Sequence, residues 1–452
     1  MMKTLQKIGL GLAVLILIGM FFIKPTELLP IAARNMLGLL FAVIILLVTE
    51  VFPLGITCLA TVPALVLLGC ASSVPEALSG YTNPTLFFVV ASFGISTALT
   101  IVPLSKRLLL SLMRKFGKNI TMLLFAIMAC TALLSSIISN VAAAAIFIPI
   151  ITNFLAVYES EADRKQTARC YMIALPIASM IGGMMTPAGS SINMLVISLL
   201  QKNAGITIPF VHWMLLGIPI TIIILPFAWW ICCKVFKPAP ISQDKIHEYI
   251  DSVKLEKKMS SKEIYVLVII VVMLILWILS SWYPVFNVTV VALLGNLLFF
   301  LPNKKMQVMT WKQFTDGVSW EAFFLMASMI TLGNCIVSTG LSSWISVVVF
   351  PAQLNLPLFM IIAFVCLITF VLLIPIPVAP ALVTMISIPI IEFSSRMGIS
   401  PYLLSVALGI AAVNCYILPL DTVPLITYAK GYYSMTDMAK STVYLQLTTI
   451  LL

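Results

Sequence analysis

The chain alternates long apolar runs with short polar ones. Apolar runs fall at residues 8–23, 36–53, 57–70, 85–103, 119–138, 142–158, 170–200 and 210–236. After a polar stretch at 237–262, a second set falls at 263–281, 285–302, 320–340, 343–374, 377–393, 401–429 and 438–452. This pattern predicts an all-α polytopic membrane protein. Several runs are shorter than the ~20 residues of a plain span, or are interrupted, as re-entrant hairpins would be. The last run is also short for a full span, which leaves room for a longer native C-terminus. The first follows Lys3 and Lys7 but ends in Lys24-Pro25 without a small-residue cleavage site, so it predicts a transmembrane helix and not a signal peptide.

Within these runs lie polar interruptions. Thr186-Pro187-Ala188-Gly189-Ser190-Ser191-Ile192-Asn193 breaks an otherwise uncharged stretch and brings Thr186, Ser190, Ser191 and Asn193 to the break. Irregular backbone at membrane depth survives only where protein or water satisfies its N–H and C=O groups. Transporters use such breaks to aim half-helix N-termini at anions; a packed Pro/Gly kink is the plainer alternative. Upstream, Ser135-Ser136-Ile137-Ile138-Ser139-Asn140-Val141 precedes four alanines, and Ser135 and Ser139 share a helix face. Hydroxyl and amide oxygens there suit a small hard cation and their protons suit a carboxylate, while Ser/Ala packing between helices is the alternative.

The halves echo each other. Phe87–Ser92 matches Phe323–Ser328, Ile148-Pro149-Ile150 matches Ile388-Pro389-Ile390, and each half leads into a polar break, Thr186 to Asn193 and Pro419 to Pro424. Repeated, interrupted membrane segments are the sequence mark of a carrier's binding site.

Composition narrows the class. Of 452 residues, 61% are hydrophobic and 9% charged, with a mean hydropathy of +1.13, which excludes a soluble domain. The 26 basic and 16 acidic residues give +10, read as cytoplasmic-loop bias and not as nucleic-acid binding. Lys106, Arg107, Arg114, Lys115 and Lys118 predict a basic amphipathic segment on the cytoplasmic surface. The lysine-rich 234–262 stretch and Lys304, Lys305 and Lys312 predict solvated inside loops. Nine scattered cysteines, among them Cys58, Cys130, Cys366 and Cys415, read as packing residues. His212 and His247 have no catalytic or metal partner in the pattern. A membrane enzyme would need a Ser–His, His–acid or metal set, so no enzyme is expected.

Thr49-Glu50-Val51-Phe52-Pro53-Leu54-Gly55-Ile56-Thr57, Ser139-Asn140, Thr186-Pro187-Ala188-Gly189 with Asn193, and Gly431-Tyr432 followed by Met435 and Asp437-Met438 resemble the divalent-anion/sodium symporter (DASS) family over nearly the whole chain. The resemblance implies two inverted repeats with re-entrant hairpins and broken helices, an elevator-type mechanism, a homodimer, and a cell (inner) membrane location. It implies scaffold segments at 1–118 and 263–352, transport segments at 119–236 and 353–452, and a cytoplasmic linker at 237–262. Glu50 matches a scaffold position. A sodium site maps to Ser135, Ser139, Asn140 and Gly189, with no organic cofactor. The substrate-facing set comprises Ser139, Asn140, Val141, Thr186, Ser190, Ser191 and Asn193 from the first repeat, and Ala379, Pro380, Asp421, Thr422 and Val423 from the second.

The departures are informative. Val141 stands where the family has a hydroxyl, and Ala379-Pro380-Ala381 leaves no polar residue in the second hairpin motif. The second break, Leu418-Pro419-Leu420-Asp421-Thr422-Val423-Pro424-Leu425, carries an acid the family lacks, so the second sodium site reads as dismantled. An intramembrane carboxylate is costly and by default functional. Asp421 therefore either titrates, giving proton coupling, or neutralises a cation, or caps the half-helix that follows. Asn414 and Asn334 read chiefly as interhelical hydrogen-bonding residues. The function expected is secondary transport of a small di- or tricarboxylate coupled to sodium, to protons or by exchange. The alternatives are a proton-driven carrier of a monocarboxylate or inorganic anion through Asp421, or, in a different class, a membrane-embedded enzyme.

Overall fold

A computed structural model describes residues 4–253, 255–256, 258–303, 306–350, 356–376, 378–414, 416–417 and 421–451. The expectations for Lys3, Lys304, Lys305, Cys415, Leu418, Pro419 and Leu420 fall outside these residues. Every regular element among the described residues is helical.

In chain order the first half comprises α1 (Thr4–Gly19), α2 (Ile31–Val48), α3 (Leu54–Leu67), a single turn α4 (Val74–Ala77), α5 (Pro84–Ile101), α6 (Leu104–Phe116), α7 (Ile120–Ser135), α8 (Asn140–Leu155), α9 (Glu161–Gly183), α10 (Ser191–Ala204) and α11 (Phe210–Phe236). Then follow α12 (Gln243–Ser252), α13 (Ser261–Leu279), α14 (Val288–Phe299), α15 (Trp311–Gly317), α16 (Trp320–Ser338), α17 (Leu341–Val349), α18 (Leu358–Leu373), α19 (Ala379–Arg396), α20 (Pro401–Val413), α21 (Thr422–Tyr428) and α22 (Met435–Leu451). Six described helices, α1 with the turn after it, α2, α5, α11, α13 and α16, are long and apolar enough to cross a membrane. The shorter apolar helices include α7 and α8 and the pair's counterpart α18, which fits the interrupted runs.

The order of elements repeats. The series α2, α3, α4, α5, α6, the α7–α8 hairpin, α9, a break, α10 and α11 is matched by α13, α14, α15, α16, α17, the α18–α19 hairpin, α20, a break, α21 and α22. This is the echo between the halves, now carried by structure.

The chain groups into two compact units. One comprises residues 1–89, 194–208 and 319–412; the other comprises 90–193, 209–318 and 413–452. These are groupings by packing, whereas scaffold and transport segments are defined by movement, and the two divisions cut the chain at different places. In the first unit, α16 packs on α3 and α19. Thr61 and Ser328 share a 2.9 Å hydroxyl bond, and Asn334 donates to the Ser79 hydroxyl at 2.8 Å, as expected of an interhelical polar residue. In the second, α9 is the hub: it packs on α7, α8, α11 and α21. From Cys170 to Gly183 every residue of α9 is buried, so this helix is apolar all round and has no lipid-facing stripe.

One expectation needs correcting. The 234–262 stretch is not simply a solvated loop: it contains α12, capped by Ser242, whose Ile246 and Ile250 are buried while Tyr249 donates to the Ile150 carbonyl at 2.8 Å. Two apolar residues four apart form a single buried ridge, which suffices to dock a short helix. The basic amphipathic segment does form, as α6. Its Arg107 reaches Glu263 at 2.6 Å and the carbonyls of Glu256 and Lys258.

Candidate functional site

The candidate site lies in the second unit, where the tip of the α7–α8 hairpin meets the break after α9. Helix α7 stops at Ser135, the corner 136–139 is anchored by buried Ile138, and α8 starts at Asn140. A helix end leaves carbonyls without partners. Here Thr186 of the break donates its hydroxyl to the Ser136 carbonyl, tying hairpin to break.

Side chains satisfy several backbone groups of the break, as backbone at membrane depth requires. Asn193 donates to the Gly183 and Thr186 carbonyls, both at 2.8 Å. Trp213 donates to the Met184 carbonyl at 2.9 Å, and Thr221 to that of Ile181 at 3.1 Å. Thr186 caps the short turn Pro187–Gly189 through the Gly189 N–H, and the Ser190 hydroxyl accepts from the Ile192 N–H at the start of α10. Thr186, Ser190 and Asn193 are buried; Ser191 is half-buried.

At the centre is a small network. Ser135 donates to Asn140 Oδ1 at 2.6 Å and shares a 3.0 Å bond with the Ser179 hydroxyl, which lies 2.7 Å from the Asn140 carbonyl. Two glycines let the backbones close around it. A methyl on Gly183 would sit 2.3 Å from Asn140 Oδ1. One on Gly189 would sit 2.6 Å from the Gly183 carbonyl oxygen and 2.9 Å from that of Ser135. The Ser135 and Gly183 carbonyl oxygens thus lie beside Gly189, and Asn140 Oδ1 beside Gly183, without a charged side chain among them. Asn193 Oδ1 is buried with no hydrogen-bond donor among the described residues. An oxygen-only donor set of this kind suits a hard cation.

Beside the oxygens lie free donors. Ser139 precedes α8 without capping it, so the first-turn N–H groups of Asn140, Val141 and Ala142 have no side-chain cap. Ser139, Asn140 and Val141 are all half-exposed. A helix N-terminus so presented attracts an anion.

The structure thus brings Ser135, Asn140, Thr186, Gly189 and Asn193 together through the hairpin and the break. Other expected residues sit on other elements. Ala379 is buried and Pro380 half-buried at the start of α19, in the first unit. Asp421, Thr422 and Val423 open α21, which packs on α8 and α9. There Asp421 Oδ1 accepts the Val423 N–H at 3.1 Å and the Thr422 hydroxyl at 3.2 Å, the capping arrangement weighed from the sequence. Asn414, just after α20, donates to the Met184 sulfur at 3.4 Å. Sequence reading missed Ser179 and Gly183. Their four-residue spacing on α9 places both on one face, a signal that needs knowledge of which helix they meet.

The comparisons with known proteins agree with this architecture. The family described as "Sodium:sulfate symporter transmembrane region" matches residues 5–452. The chain is 26% identical to a protein of Haemophilus influenzae named "Uncharacterized transporter", over 97% of this chain and 94% of the relative. It is 27% identical to "Sodium-dependent dicarboxylate transporter SdcS" of Staphylococcus aureus, over 96% and 87%, and of Staphylococcus saprophyticus, over 89% and 81%. With a helical fold built from a repeated hairpin and broken helix, and a match over nearly its full length, the chain belongs to the sodium:sulfate symporter family: it is a multi-pass membrane transporter and not an enzyme.

Proposed function

We propose that this chain is a sodium-coupled secondary transporter of a small dicarboxylate, working by alternating access. The observation that carries the proposal is the meeting of two complementary surfaces at one hairpin tip. The oxygens of Ser135, Asn140 and Gly183 beside Gly189 suit sodium, and the uncapped start of α8, with Ser139 and Asn140, suits a carboxylate. Sodium beside the anion offsets charge that would otherwise repel itself in a low-dielectric setting. The relatives named as sodium-dependent dicarboxylate transporters support the same pairing of ion and cargo. Thr186, Ser190, Ser191 and Asn193 hold the break in shape, while Ala379, Pro380, Thr422 and Val423 supply the second repeat's share of the substrate surface.

The transport segments, 119–236 and 353–452, move against the scaffold segments 1–118 and 263–352 in an elevator-type cycle of two inverted repeats, with scaffolds joined in a homodimer. Asp421 serves as a helix cap in this reading. A proton-driven cycle would need its carboxylate free, and its bonds to the Val423 N–H and the Thr422 hydroxyl are those of a cap.

Uptake of a labelled C4 dicarboxylate into proteoliposomes, under separate sodium and proton gradients, tests the proposal. Uptake driven by inward sodium is the expected result. Uptake driven by protons alone, or none under either gradient, would sink it.

A further inference from the structure

A second pocket in the same unit plays no part in this scheme. It has a volume of about 610 Å³ and lies where the end of α8 (Thr152, Leu155, Ala156) and the start of α9 (Arg164, Lys165, Arg169) meet the turn before α22 (Lys430 to Tyr432). Along α8, twelve residues, about 18 Å of helix, separate its nearest lining residue, Thr152, from Asn140. Four cationic side chains share this one cavity. Lys165 pairs with Glu161 at 2.7 Å and Arg169 with Asp437 at 3.7 Å. Arg164 and Lys430 form no ion pair among the described residues, although Arg164 lies one turn from Glu161. Lys440 stands one turn beyond Asp437 on α22, so cations outnumber acids here.

Neighbouring contacts fix the setting. The 234–262 stretch, with seven lysines against four acids, is strapped to the turn between α8 and α9: Lys245 to Glu159 at 2.7 Å, and the Tyr158 hydroxyl to the Ala239 carbonyl at 2.7 Å. By the positive-inside rule this is the cytoplasmic face.

We propose that this pocket binds a phosphate group, presented either by an anionic lipid headgroup of the inner leaflet or by a soluble phosphate ion. Clustered like charges repel unless an anion joins them, and a phosphate offers several strong acceptor oxygens to a planar guanidinium and an ammonium together. The volume matches that of small-ligand sites. Arg164 and Lys430 are the two cations left for it, with Leu155 and Ala156 forming an apolar floor for a glycerol moiety.

The test uses the full chain in neutral detergent, titrated by calorimetry with short-chain phosphatidylglycerol and, separately, with inorganic phosphate. Saturable binding of either probe is expected, and which of the two binds identifies the source. Arg164→Gln with Lys430→Gln should weaken that binding roughly tenfold to thirtyfold, while Arg114→Gln on α6 leaves it unchanged. Both altered side chains are exposed; should the double variant fail to fold, Lys430→Gln alone should weaken binding about fivefold. If neither probe binds saturably, or the variants bind as the unaltered chain does, the proposal is overturned.

Discussion

Gly189 is the residue at which the candidate site tolerates least. A side chain there would push against two backbone carbonyls, those of Gly183 and Ser135, and backbone cannot swing aside as a flexible side chain can. Gly189→Ala should therefore abolish sodium-driven uptake, measured in proteoliposomes, although it adds a single methyl. Asp421 makes the opposite case. Its carboxylate caps α21, and asparagine caps about as well as aspartate. Asp421→Asn should leave melting temperature and the pH profile of transport unchanged, while Asp421→Ala costs about 0.5–2 kcal/mol of stability. A pH profile altered in the Asn variant would return Asp421 to proton coupling. At this scale the sequence was legible wherever the chemistry was local: Ser135, Asn140 and the Thr186 break announce themselves by polar atoms in an apolar run. Ser179 and Gly183 were not legible, because their meaning comes from α7 and α8, some forty residues away, closing on them.

Among the elements, those with a strong pattern were readable and the short ones were not. The five cations between Lys106 and Lys118 marked α6, and the apolar runs marked the long helices. The single turn α4 is too short to show a period, and α12 has only Ile246 and Ile250 facing inward within a highly charged stretch. The α4 turn is held by a polar clasp. Both the N–H and the hydroxyl of Ser72 donate to Glu76 Oε2, at 2.7 and 2.6 Å. The Ser72 hydroxyl, with its N–H, holds the Glu76 carboxyl below its ordinary value of 4.5. A carboxylate whose folded value is depressed contributes fully above the unfolded value, and that contribution is lost as pH falls through the folded one. Hydrogen exchange across residues 72–78 should accordingly quicken as pH drops below about 4.5, after correction for intrinsic rates. Glu76→Gln should remove that pH dependence.

For the whole molecule, ligand linkage gives a direct test that needs no transport. A cation that binds the folded chain alone raises its stability by mass action, about 2.7 kcal/mol at a hundredfold excess over the dissociation constant. The thermal midpoint in detergent should rise with sodium chloride and not with choline chloride, and Gly189→Ala should lose the rise. The repeated order of elements was readable from short echoes such as Phe87–Ser92 and Phe323–Ser328. The grouping of packed units was not, because it depends on contacts between helices far apart in sequence.

The approach of α7 to α9 has one more consequence. A methyl on Gly182 would meet the Ala132 backbone at 2.3 Å, and the next residue, Gly183, admits Asn140 as closely. Sliding either helix by a turn would bring bulkier neighbours, Ala178 or Ser179 in place of Gly182 and Met128 or Ser135 in place of Ala132, into a gap with no width to spare. Gradual slippage is therefore barred, and the serine–asparagine cluster travels intact or not at all. In the proposed transport cycle, the pair shifts as a single slab, with the give placed at joints elsewhere in the chain.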